Sequence, residues 1–277
     1  MRGFCRGGWF DWVDPVSLTI GYGTDLHYSS ANETHENLYL SDGALKASAA
    51  VDELSNHALD LVVFSGDMVE GNPGTSIVQS DMATITDLFA TLDAPTYYVL
   101  GNHDFDGLSN AQAKAAFGLE IGHYSFDANG IHIVVLDGNY NLDDDASAYA
   151  TGNSWNYLNT YVNPAQRAWL AADLAATALP VVVFVHQRLD GVGDAFVDNA
   201  SAVRAVLEAG GNVAAVFQGH HHTNDYNRIN GIPYISMAAM ANGPAPTNAF
   251  AVIEIGNHLI NVRGFGWQFG RTVAKLV

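Results

Sequence analysis

Six short apolar runs punctuate most of the chain: Ser17 to Gly21, Leu61 to Phe64, Thr96 to Leu100, Ile131 to Leu136, Val181 to Val185 and Val213 to Phe217. Most are rich in β-branched residues, too short for a helix and too continuously apolar for a strand with one wet face. Each therefore reads as a strand covered on both sides. Between them, Ser41 to His57, Ser76 to Leu92, Asn163 to Ala176 and Asn199 to Ala209 carry apolar residues at helical spacing, with Asp42 and Ser76 placed as N-caps. Strands that alternate with helices predict an α/β layered fold. His123 to Leu136 and Tyr226 to Ile255, which turn at Asn-Gly or Gly-Ile-Pro, predict antiparallel strands as well. The expected fold class is α/β (an α+β sandwich), with two mixed β-sheets packed face to face and flanked by helices.

A chain of 277 residues, 48% hydrophobic and 14% charged, buries a large core, which excludes intrinsic disorder. Lys and Arg number 11 against 29 Asp and Glu, a formal net charge of -18 that repels phosphate backbones and anionic lipid, so no general nucleic-acid binding is expected. No apolar run approaches the roughly 20 residues of a membrane span. After Arg2 and Arg6, Asp11 interrupts the stretch where a secretion signal needs unbroken apolar residues, so the cytoplasm is the favoured compartment, with an exported mature form as the other option. Cys5 is the single cysteine and excludes an intramolecular disulfide. No linker or internal repeat divides the sequence, and one domain is expected over residues 1–277. The stretch 138–162 differs in texture, being rich in Asn and Asp and carrying Tyr140, Tyr149, Trp155, Tyr157 and Tyr161, and it reads as a substrate loop or lid. Trp155 and Tyr157 are its candidates for stacking on a planar part of a substrate.

Metal-binding residue types recur where the predicted strands end: Asp25-Leu26-His27, Gly66-Asp67, Gly101-Asn102-His103-Asp104, His186, and Gly219-His220-His221-His222. In α/β folds strand ends converge on one edge of the sheet, where sites are built. Taken singly, each group has an ordinary reading as a turn or a packed histidine. Together they supply what a pair of metal ions requires, namely a bridging carboxylate with His, Asp and Asn around it. Nitrogen and oxygen donors without a thiolate suit Mn, Fe or Zn.

These five blocks, in this order, resemble the calcineurin-like metallophosphoesterases, whose pattern is D-x-H, G-D, G-N-H-[D/E], a strand-end H, and G-H-x-H. The similarity extends from about Ser17 to Phe269. Within the superfamily, Tyr39 to Glu53, Asn163 to Leu174 and His186-Gln187 look most like the branch of manganese-dependent ADP-ribose/CDP-alcohol diphosphatases and related bacterial phosphatases. That branch tends to carry Gln at the place of His27, so its substrate preference does not transfer. The resemblance implies Asp25, His27 and His222 on one metal, Asn102, His186 and His220 on the other, and Asp67 bridging both. It also implies that Asn102 and His103 contact the scissile phosphate, that His103 protonates the leaving group or stabilises its charge, and that Asp104 orients the His103 ring. Arg188, the cation beside a motif, is a candidate clamp for a phosphate oxygen. His221 is expected to point away from the metals, and His35, His57, His123, His132 and His258 match no motif and read as structural.

The expected reaction is phosphoester hydrolysis, with a metal-bound hydroxide attacking phosphorus in line. A phosphomonoester dianion favours extra Arg or Lys, and this chain has few, so small-molecule phosphodiesters or pyrophosphate-linked nucleotides are the favoured substrates. A broad phosphomonoesterase is the alternative, and a metal-bound scaffold without catalysis is the remaining one. The complete ligand set and His103 speak against the scaffold.

Overall fold

The computed structural model describes residues 16–71, 75–141, 143, 160–194 and 196–275. Two six-stranded sheets carry the fold. The first contains β1 (Val16–Gly23), β2 (Leu61–Ser65), β3 (Thr96–Val99), β10 (Ala249–Gly256), β11 (Leu259–Gly266) and β12 (Arg271–Ala274), in the order β12-β11-β10-β1-β2-β3. The second contains β4 (Tyr124–Ala128), β5 (Ile131–Val135), β6 (Val181–Val185), β7 (Val213–Gln218), β8 (Asp225–Ile229) and β9 (Ile232–Ser236), in the order β4-β5-β6-β7-β9-β8. The helices are α1 (Gly43–Leu54), α2 (Thr75–Phe89), α3 (Asn110–Ala116), α4 (Pro164–Ala176) and α5 (Ala200–Gly210). Both sheets are mixed, as the alternation of strand and helix together with the hairpin signals predicts.

Strand alternation decides which layer receives each side chain. Leu18, Ile20 and Tyr22 of β1 and Val63 of β2 meet Ile133, Val135, Val182, Phe184 and Phe217 of the other sheet in the central core. Val62 and Phe64, one register position away, instead pack beneath α1 and α2 against Leu54, Met82, Ile85 and Phe89. On the opposite face, Leu170 and Leu174 of α4 and Val203 and Leu207 of α5 cover Val134, Val183 and Val216. Full burial of such a side chain contributes about 1.5–3 kcal/mol. Every residue of β2, β5, β6 and β7 is buried, because each of these strands is covered on both faces.

The structure departs from the sequence reading in several places. Ser76 lies inside α2, which already includes Thr75. Asp42 occupies the N-cap position of α1 but makes no side-chain cap; its Oδ2 accepts from the Ala245 amide at 2.8 Å, tying the helix start to a distant loop. The segment Tyr226 to Ile255 is not one hairpin. β8 and β9 turn at Asn230-Gly231, both at positive φ, whereas β10 leaves for the other sheet and pairs antiparallel with β1. Among the described residues, no helix is long and apolar enough to cross a membrane.

This layering sets the direction of the site. β1, β2 and β3 run parallel, as do β5, β6, β7 and β9. The loops leaving β1, β2, β3, β6 and β7 gather at one end, where the two sheets meet.

Far from that end, His132 clips β5 to its neighbours: Nδ1 lies 2.6 Å from Asp127 Oδ1 and Nε2 lies 2.9 Å from Asp173 Oδ2 on α4. Two carboxylates on opposite ring nitrogens favour the imidazolium. Burial works against the charge, but the bonds to Asp173 and Asp127 outweigh it and raise the pKa. A raised folded-state pKa means stabilisation that is full below the ordinary value near 6.5 and is lost as pH rises through the folded value. His132→Gln should therefore lower Tm by a few degrees at pH 6, with the deficit shrinking toward pH 9. A deficit independent of pH would show that the charge of His132 contributes nothing.

Candidate metal centre

The loops that follow the parallel strands bring the sequence-predicted ligands into two adjoining groups. Asp25, His27 and His222 form one, and Asp67, His186 and His220 the other, with the ligating atoms of each group within 4.8 Å of one another. Asp25, His27, Asp67 and Asn102 come from the first sheet, and His186, His220 and His222 from the second. Asp67 Oδ2 lies 3.0 Å from His186 Nε2 and 3.7 Å from His27 Nε2, so one carboxylate oxygen faces both groups.

The backbone that delivers these side chains is unusual. Asp25 (φ 53°), His27 (φ 48°), Asp67 (φ 51°), His220 (φ 69°) and His222 (φ 59°) are all left-handed. Each such non-glycine residue costs about 1 kcal/mol or more. The loops hold one another in place: the Asp25 amide donates to the Gly66 carbonyl and the His27 amide to the Asp67 carbonyl, both at 3.0 Å. The His220 amide donates to the Asp25 carboxylate at 3.1 Å. The glycines of the motifs follow from this crowding. A Cβ on Gly101 would strike the Asp67 carboxylate and amide, and one on Gly219 would strike Thr24 and Asp25.

The His186 and His27 rings are each turned by a partner on the other nitrogen. His186 Nδ1 donates to the Ser65 carbonyl (2.7 Å), which aims Nε2 inward. His27 Nδ1 lies 2.8 Å from Glu70 Oε2, with the same effect on its Nε2. The inward nitrogens then face one another, His27 Nε2 against His222 Nε2 at 3.1 Å and His220 Nδ1 against His186 Nε2 at 3.2 Å. His220 Nε2 and both side-chain amide atoms of Asn102 are buried without a hydrogen-bond partner. Buried polar atoms are rarely left so, and a set of imidazole and carboxylate lone pairs converging on common points is what divalent cations satisfy. The residues fit the metals implied by the motifs.

The buried charges offset one another. Burial raises the Asp25 pKa, but His186 and His222 outweigh it and bring it to about 2. Asp67 is likewise held well below the carboxylate range by His186 and His103 against its burial. Burial and the neighbouring His186 push His220 down to about 3, and burial lowers His27, leaving both as neutral donors. His186 is raised to about 9, because Asp67 and Asp25 overcome its desolvation.

His103 lines the cavity beside the ligands, and its Nδ1 lies 2.8 Å from Asp106 Oδ2. Against burial, Asp67, Asp106 and Glu70 raise its pKa to about 10. The role of orienting this ring, expected of Asp104, therefore falls to Asp106. Asp104 is fully buried and accepts from the amides of Asp67 (3.1 Å), Met68 (2.9 Å) and Gly101 (2.8 Å), tying two ligand loops together; burial and Asp67 raise its pKa to about 7.

Arg188 is a second correction. Its Nε and Nη2 grip Asp190 (2.8 and 2.7 Å), Nη2 also reaches Asp225 (2.7 Å), and Nη1 lies 3.1 Å from His221 Nδ1. The guanidinium is consumed in bracing the turn between His220 and His222 and does not line the cavity. His221 accordingly faces Arg188 and Phe196, whose ring centroid is 4.8 Å from its own. Trp155 and Tyr157 lie outside the described residues. The foot of their loop is pinned by paired hydrogen bonds between Tyr140 and Tyr161.

Sequence reasoning missed Glu70, Asp106 and the cavity wall. The readable signals were carboxylates three residues after Asp67 and after His103. A cavity of about 870 Å³ opens over the ligands, lined also by His35, Glu36, Tyr39, Asn242, Pro244 and Trp267. His35, expected to be structural, is thus part of the cavity wall.

The calcineurin-like phosphoesterase family model matches residues 19–224. No curated protein sequence matches the chain. Among solved structures, a dimetal phosphatase from Danio rerio superposes with a TM-score of 0.83 at 19% identity, over 94% of this chain and 100% of that one. Purple acid phosphatase PPD1 from yellow lupin gives 0.61 at 12% identity, over 93% of this chain and 52% of the lupin chain. YfkN of Bacillus subtilis, a calcineurin-like phosphoesterase, gives 0.51 at 14% identity, over 94% and 90%. The chain belongs to the calcineurin-like phosphoesterase family and is a metal-dependent phosphoester hydrolase.

Elemental analysis of the purified protein should give about two metal ions per chain. Asp67→Asn removes the carboxylate charge that faces both groups and should lose much of the metal, with activity falling by orders of magnitude. Unchanged stoichiometry and activity in that variant would contradict the bridging assignment.

Proposed function

We propose that the chain hydrolyses phosphodiesters or pyrophosphate-linked nucleotides in preference to phosphomonoesters. The supporting observation is the cavity wall: none of its described lining residues is Lys or Arg, whereas Glu36 and Glu70 are both present. A monoester dianion gains most from cationic side chains, and a diester carries one charge fewer.

In this reading Asp25, His27 and His222 hold one metal ion, Asn102, His186 and His220 hold the other, and Asp67 is shared. The chemistry supplied by two such ions, when bound, is Lewis acidity that brings the pKa of water from 15.7 toward about 7 and offsets phosphoryl charge. The protein's own part is orientation and proton delivery. Glu70 and the Ser65 carbonyl fix the His27 and His186 rings, and Asp104 locks the loops that carry Asp67 and Asn102. With Nδ1 committed to Asp106, the proton handed to the leaving oxygen is carried on His103 Nε2. Asn102 and His103 are the contacts proposed for the scissile phosphate.

The metal-reconstituted protein, assayed on p-nitrophenyl phosphate, bis(p-nitrophenyl) phosphate and a nucleoside diphosphate diester, should show higher kcat/KM on the last two. Preference for the monoester would replace this reading with a broad phosphatase. His103→Ala should lower kcat about 10²–10⁴-fold for alkyl leaving groups and less for p-nitrophenolate, with metal content intact. Equal losses across leaving groups would remove the general-acid role, and loss of metal would make His103 a ligand.

A further inference from the structure

The part of the cavity away from the ligands is walled by residues 35–39, Asn242, Gly243, Pro244 and Trp267. Its framework is built with care. Buried Lys46 on α1 donates Nζ to the carbonyls of Met240 (3.0 Å), Ala241 (2.9 Å), Asn242 (3.4 Å) and Gly243 (2.6 Å), fixing that strap of backbone. The Tyr39 amide donates to Ala241 at 3.0 Å, which joins the first segment to the strap. Trp267, in the turn between β11 and β12, is mounted at both backbone groups: its amide donates to the Asn248 carbonyl (2.9 Å), and its carbonyl accepts from Asn224 Nδ2 (2.8 Å). A Cβ placed on Gly243 would lie 3.4 Å from Trp267 Cη2, an ordinary van der Waals distance, so the indole edge lies beside the strap. Despite this rigid setting, 54% of Trp267 is exposed. An indole carried on a backbone held at both groups, with open surface at the cavity wall, has the geometry of a stacking platform.

We propose that Trp267 is a specificity-determining residue on which a flat aromatic portion of the substrate stacks, in a subsite whose wall also includes Tyr39 and Pro244. The proposal rests on the phosphoester reading of the adjoining site, from which the phosphoryl group would anchor the rest of the substrate within reach of the indole. Stacking on an aromatic side chain contributes enough to change affinity about five-fold or more.

The test uses the metal-loaded protein and two probes with the same phosphonate group, phenylphosphonate and methylphosphonate, which differ in the ring. Phenylphosphonate should bind at least about five-fold more tightly by titration calorimetry and should quench indole fluorescence. Trp267→Ala should bring the two affinities within about two-fold by weakening phenylphosphonate alone, and Trp267→Phe should retain most of the difference. Equal affinities in the native chain, or an advantage that survives Trp267→Ala, would overturn the proposal. Its failure is distinguishable from that of the diester reading. A ring advantage carried by Trp267 in a protein that prefers monoesters keeps the platform and loses the diester preference; the converse pair of results does the opposite.

Discussion

One carboxylate oxygen, Asp67 Oδ2, holds the architecture of the site together. It sits at the end of β2 in the first sheet, yet lies 3.0 Å from His186 of the second sheet and 3.7 Å from His27 of its own. The two sheets must therefore pack with their parallel strand ends aligned, or the oxygen faces one group only. The large central core, with Tyr22 stacked on Phe184 and tilted against Phe217 across the interface, supplies the alignment. Without cations the same arrangement gathers buried carboxylates and imidazoles at close quarters, with several polar atoms unpartnered. Bound metal should accordingly stabilise the fold by mass action.

The left-handed residues extend this logic to the backbone. A ligand that leaves its strand in the extended conformation continues along the sheet; at positive φ the chain reverses sharply and the side chain is delivered over the strand end. The cost at Asp25, His27, Asp67, His220 and His222 is met by hydrogen bonds that run from one ligand loop to the next. Asp104 and Arg188 belong to the same framework. Both were expected to touch chemistry, and both instead brace the turns that do. A buried carboxylate accepting three amides and a buried guanidinium gripping two carboxylates are committed to these partners, and neither lines the cavity.

Much of this was legible in the sequence, for a physical reason. Runs such as Val181 to Val185 announce strands covered on both sides, and glycine next to Asp, Asn or His announces strand ends where backbones approach closely. The structure brings Asp25, His27 and His222 into one group and Asp67, His186 and His220 into the adjoining one, and the motifs that carry these residues lie within the stretch matched by the family model. What escaped were features with no local periodicity. β10 crosses to the other sheet because its pairing with β1 is decided by tertiary packing, not by the nearby turn. Glu70 and Asp106 act through partners distant along the chain or across a short 3₁₀ turn, and carboxylates at those positions look like ordinary surface residues. Trp267 belongs to no motif, since its place in the cavity wall depends on a turn held by Asn248 and Asn224 from elsewhere in the chain.

The proposed sharing of Asp67 by two metal ions is tested most directly by the magnetic coupling of the pair. With the chain saturated by Mn(II), electron paramagnetic resonance should show the broad multiline signal of two exchange-coupled ions bridged through shared ligands. A simple six-line spectrum of isolated Mn(II), persisting at full occupancy, would contradict the account.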